Sequence, residues 1–429
     1  MNKIKISIIS VRDLNGGGGF KASHRLYKQL RRYSYNVDLL VQNKISRDPI
    51  ITSLSSKFDK VRFLLRNAVS RYILNSQRSS FKTDHTLALF SSGMGKKIER
   101  NDYDIINLHW VAGEMMSIKE IGNIQGPVVW TLHDMWAFCG TEHCNLDLDE
   151  SSRWRSGYYK TNRRKEDSGF DLDRLAWLQK RKYLNSSIHI ITPSNWLKSC
   201  VENSKLMKDF SVSVVPNIID IDLFKPLNKE FCRKALNLNT NKKIVLFGAF
   251  AGIENKIKGY DLLVNAIGNL PEDFFSECDI VVFGQDRPKE NTHRKFDKII
   301  WMGQIFDEYT LPVLYGCADV VVVPSRLEAF GLVAAEAQSC GIPVVAFNAT
   351  GLKDVVEHKI TGFLAKPYDA NDLSDGILWV LSNSDRSNSL SAEARKKACA
   401  EWSPEVIIPK YMDIYKKVID KNNKRNKLL

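Results

Sequence analysis

The chain has 429 residues, a formal net charge of +13, 44% apolar and 26% charged residues. That length exceeds one ordinary core, so two domains are expected, and the balance excludes a fibre or a wholly disordered chain. The positive excess favours an anionic partner (nucleic acid, phosphorylated substrate or membrane surface) without choosing among them.

No apolar run reaches the roughly 18–20 residues that span a bilayer. The opening MNKIKISIIS has too short an apolar stretch for a signal peptide and no small-residue cleavage site, so it reads as a strand of a cytoplasmic protein. The eight cysteines are scattered, with no CxxC pair, and read as small buried apolar residues. Cys139 and Cys144, flanking His143, form the one cluster, and it lacks the fourth ligand a zinc site needs.

In chain order, KIKISIISV (3–11) alternates and then turns apolar, a buried strand. Glycines 16–19 of NGGGGF read as a flexible turn, and from Lys21 a helical pattern puts Leu26 and Leu30 on one face. NVDLLVQ is the next strand, so the chain opens as a doubly wound sheet does. VRFLLRNAVSRYILNSQRSSF (61–81) reads as a helix with Arg62, Arg66, Arg71 and Arg78 among apolar residues. It fits an anionic membrane surface or a core helix with a solvated arginine face, and both readings stay open. RWRSGYYKTNRRK (153–165) is a second basic run.

YDIINLHWV (103–111) and GPVVWTLHD (126–134) are buried strands, each with a histidine at its end, His109 and His133. Trp110, Trp136 and Phe138 near them either stack on sugar faces or pack the core, with packing favoured. SSIHIITPSNWLKSCVENS (186–204) is strand, turn and helix, SVSVVPNIID (211–220) is a strand, and a linker ends at Pro226. The pattern then restarts. KKIVLFGAF (242–250), DIVVFGQ (279–285), KIIWMG (298–303), DVVVVPS (319–325) and IPVVAF are strands with helices between them, and TGFLAKP is a short strand-like piece. Alternation of this kind implies parallel sheets, which bind ligands at the carboxyl ends of their strands. The predicted domains are residues 1–217 and 227–405, with a helix and tail over 406–429 packing back on the first.

PSRLEAFGLVAAEAQSCGIPVV (324–345) carries the sharpest chemistry. A strand ends at Pro324-Ser325, a loop carries Glu328, and FGLVAAEAQSCG makes a helix stopped by Gly341. The free amides of residues 330–332 at that helix start suit an anion. Glu336, a turn and a half further in, suits a ribose diol, and Glu328 suits hydroxyls of a sugar beyond the phosphate. One extended ligand fits all three.

PSRLEAFGLVAAEAQSCGIPVVAFNATGLKDVV, with its E-x7-E element, resembles the signature of retaining family-4 glycosyltransferases of the GT-B fold. VVPNIIDIDLFKP between the domains is similar too, with Ile218 where glycine is commoner, as is VLFGAFAGIENKIKGYDLLVNAI at the second domain's start. TLHDMWAFCGTEHC and HWVAGE resemble the subgroup that builds bacterial surface polysaccharides of the O-antigen or colanic-acid kind. The resemblance covers nearly the whole chain. It implies an α/β protein of two Rossmann-like domains facing each other across an interdomain cleft, acceptor-binding first and nucleotide-sugar-binding second.

By the same resemblance, Lys258 binds the donor diphosphate, Glu336 the ribose, Glu328 the donor sugar, and Phe330, Gly331 and Leu332 offer backbone amides. Gly17 and Gly18 approach the donor phosphates, and His133 lies near the reacting sugar, so that His133, Glu328 and Lys258 form the catalytic group. His109 and Asp134 serve the acceptor side, Asp134 by orienting either the acceptor hydroxyl or the histidine. Residues 250–257 lack the arginine such proteins often carry, and Lys256 stands in for it as a point charge rather than a fork. The implied reaction is retaining, with the leaving phosphate taking the acceptor's proton, no carboxylate nucleophile, no metal and no cofactor. The donor is a UDP- or GDP-sugar and the acceptor a glycan, lipid-linked, at the inner face of the cytoplasmic membrane.

Three rivals are weaker. A sugar-nucleotide epimerase shares the fold units. A dinucleotide oxidoreductase would need GxGxxG where RDLNGGGG stands and an acid closing the second strand. A nucleic-acid binder has the charge but none of the motifs, so no specific nucleic acid is expected.

Overall fold

The computed structural model of the chain describes residues 4–13, 16–79, 83–146, 149–248, 255–287, 299–305 and 307–426. Two compact units divide it, Met1–Val215 with Ile408–Leu429, and Pro216–Ile407. Residues 249–254 of the loop after KKIVLFG, and residues 147–148 of LDLDE, lie outside the described residues.

In the first unit β1 (Lys5–Arg12), β2 (Asn36–Asn43), β3 (Thr52–Ser53), β4 (Ile105–Leu108), β5 (Val128–Thr131), β6 (His189–Thr192) and β7 (Val212–Val214) form one sheet, ordered β3-β2-β1-β4-β5-β6-β7. Every neighbouring pair is parallel. Strands buried on both faces read as apolar runs rather than as alternation, and β4 and β5 are buried throughout. Parallel pairing needs crossovers, and α1 (Gly18–Arg32) supplies the one from β1 to β2. This helix starts three residues before Lys21. Two of the four glycines therefore sit in its first turn, where the missing intrahelical acceptors make glycine tolerable and leave the amides unobstructed.

The helix predicted over 61–81 is α2 (Lys57–Leu74). It begins earlier because Ser56 and Asp59 cap it reciprocally. It ends earlier because Gln77–Arg78 pair antiparallel with Ser168–Gly169.

The second unit repeats the plan. β8 (Lys243–Gly248), β9 (Cys278–Phe283), β10 (Ile299–Trp301), β11 (Val320–Val323), β12 (Val344–Phe347) and β13 (Gly362–Ala365) lie in the order β10-β9-β8-β11-β12-β13, all parallel. Between β11 and β12 runs α3 (Leu332–Ser339), which stops where Gly341 takes φ +73°, a left-handed turn open to glycine. Both sheets reverse their strand order at one point, between β1 and β4 and between β8 and β11. In doubly wound sheets that switch point, at the strands' carboxyl ends, is where ligands bind.

The last helix, α4 (Pro404–Asn426), starts in the second unit and ends in the first. In the first unit the Asn107 amide of β4 donates to the buried Tyr415 hydroxyl at 2.7 Å, which anchors α4 to the sheet.

Candidate active site

In the second unit the predicted donor residues gather at the switch point. Lys258 follows β8 and Glu328 follows β11, two paired strands, and the Lys258 ammonium donates to Glu328 Oε1 at 2.6 Å. Ser325 Oγ donates to the same oxygen at 2.9 Å. Glu328 Oε2 has no hydrogen-bond partner among the described residues. The carboxylate is thus held through its Oε1 by two donors.

The backbone around Glu328 is fastened as well. Its N–H donates to Thr350 Oγ1 at 3.1 Å and its carbonyl accepts from the Gly351 N–H at 2.9 Å. Thr350 holds φ +51°, a costly conformation for a β-branched residue. The turn that carries Lys258 is tied to the same loop. Arg326 clamps Asp261 through two bonds of 2.7 and 2.6 Å and donates to the Lys256 carbonyl at 2.8 Å. Arg326 is therefore the arginine of this loop, used as a brace. The Lys256 side chain is exposed.

Gly331 is the N-cap of α3 at φ +102°, and no side chain caps the helix, so the first amides have no side-chain acceptor. The helix starts at Leu332 rather than at Phe330, whose ring is buried edge-on against Trp402 at 5.9 Å. Phe330 thus anchors the loop while its side chain takes no part in the surface. Glu336 is 2% exposed, and its Oε2 accepts from the Tyr315 hydroxyl at 2.7 Å.

In the first unit the switch point brings together α1's start, His109 and His133. Gly17 is the N-cap of α1, again with no side-chain cap. A Cβ added to Gly19 would lie 3.2–3.3 Å from the His133 side chain, so the helix start abuts that ring. His109 Nδ1 and His133 Nε2 are 2.9 Å apart. His133 is half-buried, and burial lowers it to about 4, against the opposing pull of Asp134. His109 is 3% exposed, and burial, then His133, pushes it well below the usual imidazole value. Its backbone N–H bonds the Ile9 carbonyl at 2.9 Å, which fixes the strand end that carries it against His133.

The Asp134 carboxylate accepts from Trp110 Nε1 at 2.9 Å, the Trp136 N–H at 2.9 Å and His143 Nδ1 at 2.7 Å. Burial raises its pKa, but His143 and these donors outweigh it, and the carboxyl sits below its ordinary value. The histidine that Asp134 orients is His143, whose other nitrogen bonds Thr86 Oγ1 at 2.8 Å. With both ring nitrogens engaged, His143 offers none to a metal. Among the described residues no group of three or more His, Cys, Asp or Glu could hold a metal ion. Trp136 and Phe138 are core residues.

Tyr315, Arg326 and Thr350 escape a reading by motif, and His143 stands out in the sequence only as the centre of the Cys139–Cys144 cluster. A tyrosine in a helix carries no signal until the fold sets it beside an acid.

Residues 16–223 match glycosyltransferase family 4, and residues 228–397 match glycosyl transferases group 1. Over 199 residues the chain is 35% identical to a D-inositol 3-phosphate glycosyltransferase from Xylanimonas cellulosilytica, which covers 43% of this chain and 46% of that protein, about half its length. It is 26% identical over 336 residues to an uncharacterised 41.2 kDa protein in the cps region of Klebsiella pneumoniae, covering 75% of this chain and 81% of that one. Anabaena HepE in complex with UDP-glucose has the same fold, with a TM-score of 0.63 at 17% identity over 96% of this chain and 100% of that one. The class defined is the GT-B glycosyltransferase fold. In this chain a family 4 region is followed by a group 1 region.

Proposed function

We propose that the chain moves a hexose-type sugar from a UDP- or GDP-sugar to a lipid-linked glycan in surface-polysaccharide biosynthesis, with retention at the anomeric carbon and without metal or cofactor. The Lys258–Glu328 pair beside the uncapped start of α3 carries this reading. As the sugar–phosphate bond breaks, the Lys258 ammonium and the first amides of α3 neutralise the departing diphosphate. Glu328 Oε2 accepts hydroxyls of the donor sugar. Glu336, anchored by Tyr315, receives the ribose diol. The acceptor hydroxyl attacks from the side the diphosphate leaves, and the phosphate takes its proton, so the protein acts by positioning and charge stabilisation.

Two further observations support the finer parts. HepE is described in complex with UDP-glucose. The Klebsiella relative lies in a cps region. The lipid-linked acceptor is supported by α2, which turns Phe58, Val61, Leu64, Leu65, Val69 and Tyr72 outward beside exposed Lys57, Lys60, Arg62 and Arg71.

The test is a thermal-shift screen of sugar nucleotides, followed by glycoside synthesis with the donor that stabilises the protein. A raised melting temperature with one donor, and a product of retained anomeric configuration unaffected by chelator, are expected. No shift with any donor and no glycoside would overturn the reading, and loss of activity on chelation would overturn its metal-free part.

A further inference from the structure

The two histidines at the first unit's switch point share one proton. Burial keeps both neutral near neutral pH, so each ring carries a single N–H. One of those protons lies between His109 Nδ1 and His133 Nε2. Two arrangements satisfy the 2.9 Å bond, and they differ in what they leave at the far nitrogens.

If His133 donates through Nε2, the His109 proton sits on Nε2. That nitrogen is buried with no hydrogen-bond partner among the described residues. His109 lines a cavity of about 10 Å³ with Trp110, Trp130, His133, Asp134 and Trp136, and the Asp134 carboxylate there already accepts from Trp110, Trp136 and His143. An orphaned buried N–H costs about as much as a lost hydrogen bond and is rare in folded proteins. If His109 donates through Nδ1 instead, its Nε2 is a bare lone pair, the milder orphan. His133 must then carry its proton on Nδ1, which has no partner among the described residues. His109 itself is fixed, since its N–H bonds Ile9 and its carbonyl accepts from Trp130 Nε1 at 3.2 Å.

We infer that His109 is a positioning residue, donating through Nδ1 to His133 Nε2 and so holding His133 in the tautomer that carries its proton on Nδ1. In that form His133 is a hydrogen-bond donor and not a base. Its ligand class is a hydroxyl or anionic oxygen of the substrate. This rests on the glycosyl-transfer reading only for what His133 meets. The tautomer can be read with no substrate present.

The experiment uses full-length protein labelled with 15N-histidine. Long-range proton–nitrogen correlation spectra are recorded at neutral pH, with His133 assigned through its loss in His133→Ala. Nδ1-protonated patterns for His109 and His133 are expected, and an Nε2-protonated His133 overturns the proposal whether or not any glycoside forms.

With the donor found in the sugar-nucleotide screen, His109→Leu should lower kcat by about tenfold to hundredfold at little change in donor KM, the scale of a misplaced catalytic contact. His109→Asn, whose amide nitrogen takes the place of Nδ1, should restore most of it and keep His133's nitrogen pattern. In a His133→Ala background His109→Leu should add nothing. Losses that add independently, or an asparagine variant that folds, keeps the pattern and is no better than leucine, would overturn the positioning role. Should His109→Leu fail to fold, the spectra and the asparagine variant still decide.

Discussion

Lys258 and Glu328 are 70 positions apart and meet because two adjacent parallel strands end at one edge. Lysine neutralises a leaving diphosphate only if it is held close, so the turn bearing it should be sensitive. Removing such a charge costs on the order of a hundredfold to a thousandfold in kcat, and Lys258→Ala is expected to show this in initial rates with an unchanged melting temperature. Gly259 next to it tests the holding rather than the charge. It sits at φ +68°, and a Cβ there would lie 1.9 Å from the Pro324 carbonyl oxygen. Gly259→Ala should therefore cost on the order of 1–3 kcal/mol in urea unfolding and impair turnover with Lys258 intact. Full activity in that variant would mean the approach of the two loops is not needed. The acids and the lysine were legible in the sequence because each stands in a motif. Thr350 was not, since nothing in NATGLKDVV reports that a threonine turns left-handed to accept the Glu328 amide.

At the scale of elements α2 is inverted. Its half-buried or buried positions include Arg66, Asn67 and Ser70 beside Phe63, Ile73 and Leu74, while a wide apolar stripe faces outward. Arg66 is consumed inside, donating to the Glu114 carbonyl at 3.0 Å. Asp59, the acid in the helix's first turn, is paired with Lys97. The outward face is therefore apolar and cationic, the pattern that enters an anionic interface, where each basic side chain adds about 1 kcal/mol. Flotation with liposomes containing anionic lipid should carry the protein up, and neutral liposomes should not. The triple variant Phe58→Ser, Leu65→Ser, Tyr72→Ser should lose flotation with its fold unchanged, because exposed substitutions cost within about 0.5 kcal/mol each. Retained binding would assign the surface elsewhere. The sequence left this helix between two readings because it gives the period but not which side the sheet takes. α1 shows the same limit at a boundary, as four consecutive glycines do not reveal which begin the helix.

The whole molecule was the most legible level. Apolar strand runs separated by helical periods, stopping at Pro226 and starting again at Lys242, imply two parallel sheets, and the two are there. What no pattern could supply is the interior's charge, and it shapes how the molecule responds to pH. Burial lowers His133 to about 4, and burial with Lys421 and Lys417 lowers His189 to about 4, both from 6.5. His109 shifts the same way. Such groups stabilise the folded state above pH 6.5 and lose that contribution as pH falls towards 4, since the unfolded chain takes up protons the fold refuses. Glu142 acts in the opposite sense. Burial, then the charge of Asp173, raises it from 4.5 to about 8, so its contribution is complete below pH 4.5 and is lost as pH rises towards 8. Each group contributes a slope of at most about 1.4 kcal/mol per pH unit. Between pH 4.5 and 6.5 three histidines outweigh one acid, and stability should rise. Between 6.5 and 8 the acid acts with the histidines silent, and stability should fall until the buried Lys180, lowered by burial to about 8, begins to oppose it at the top of that range. The urea midpoint is thus expected to peak near pH 6.5. Glu142→Gln, which keeps the shape and cannot ionise, should flatten the alkaline side and leave the acid side in place. A midpoint that climbs steadily to pH 8, or an unchanged alkaline limb in Glu142→Gln, would show that this carboxyl ionises freely inside the fold.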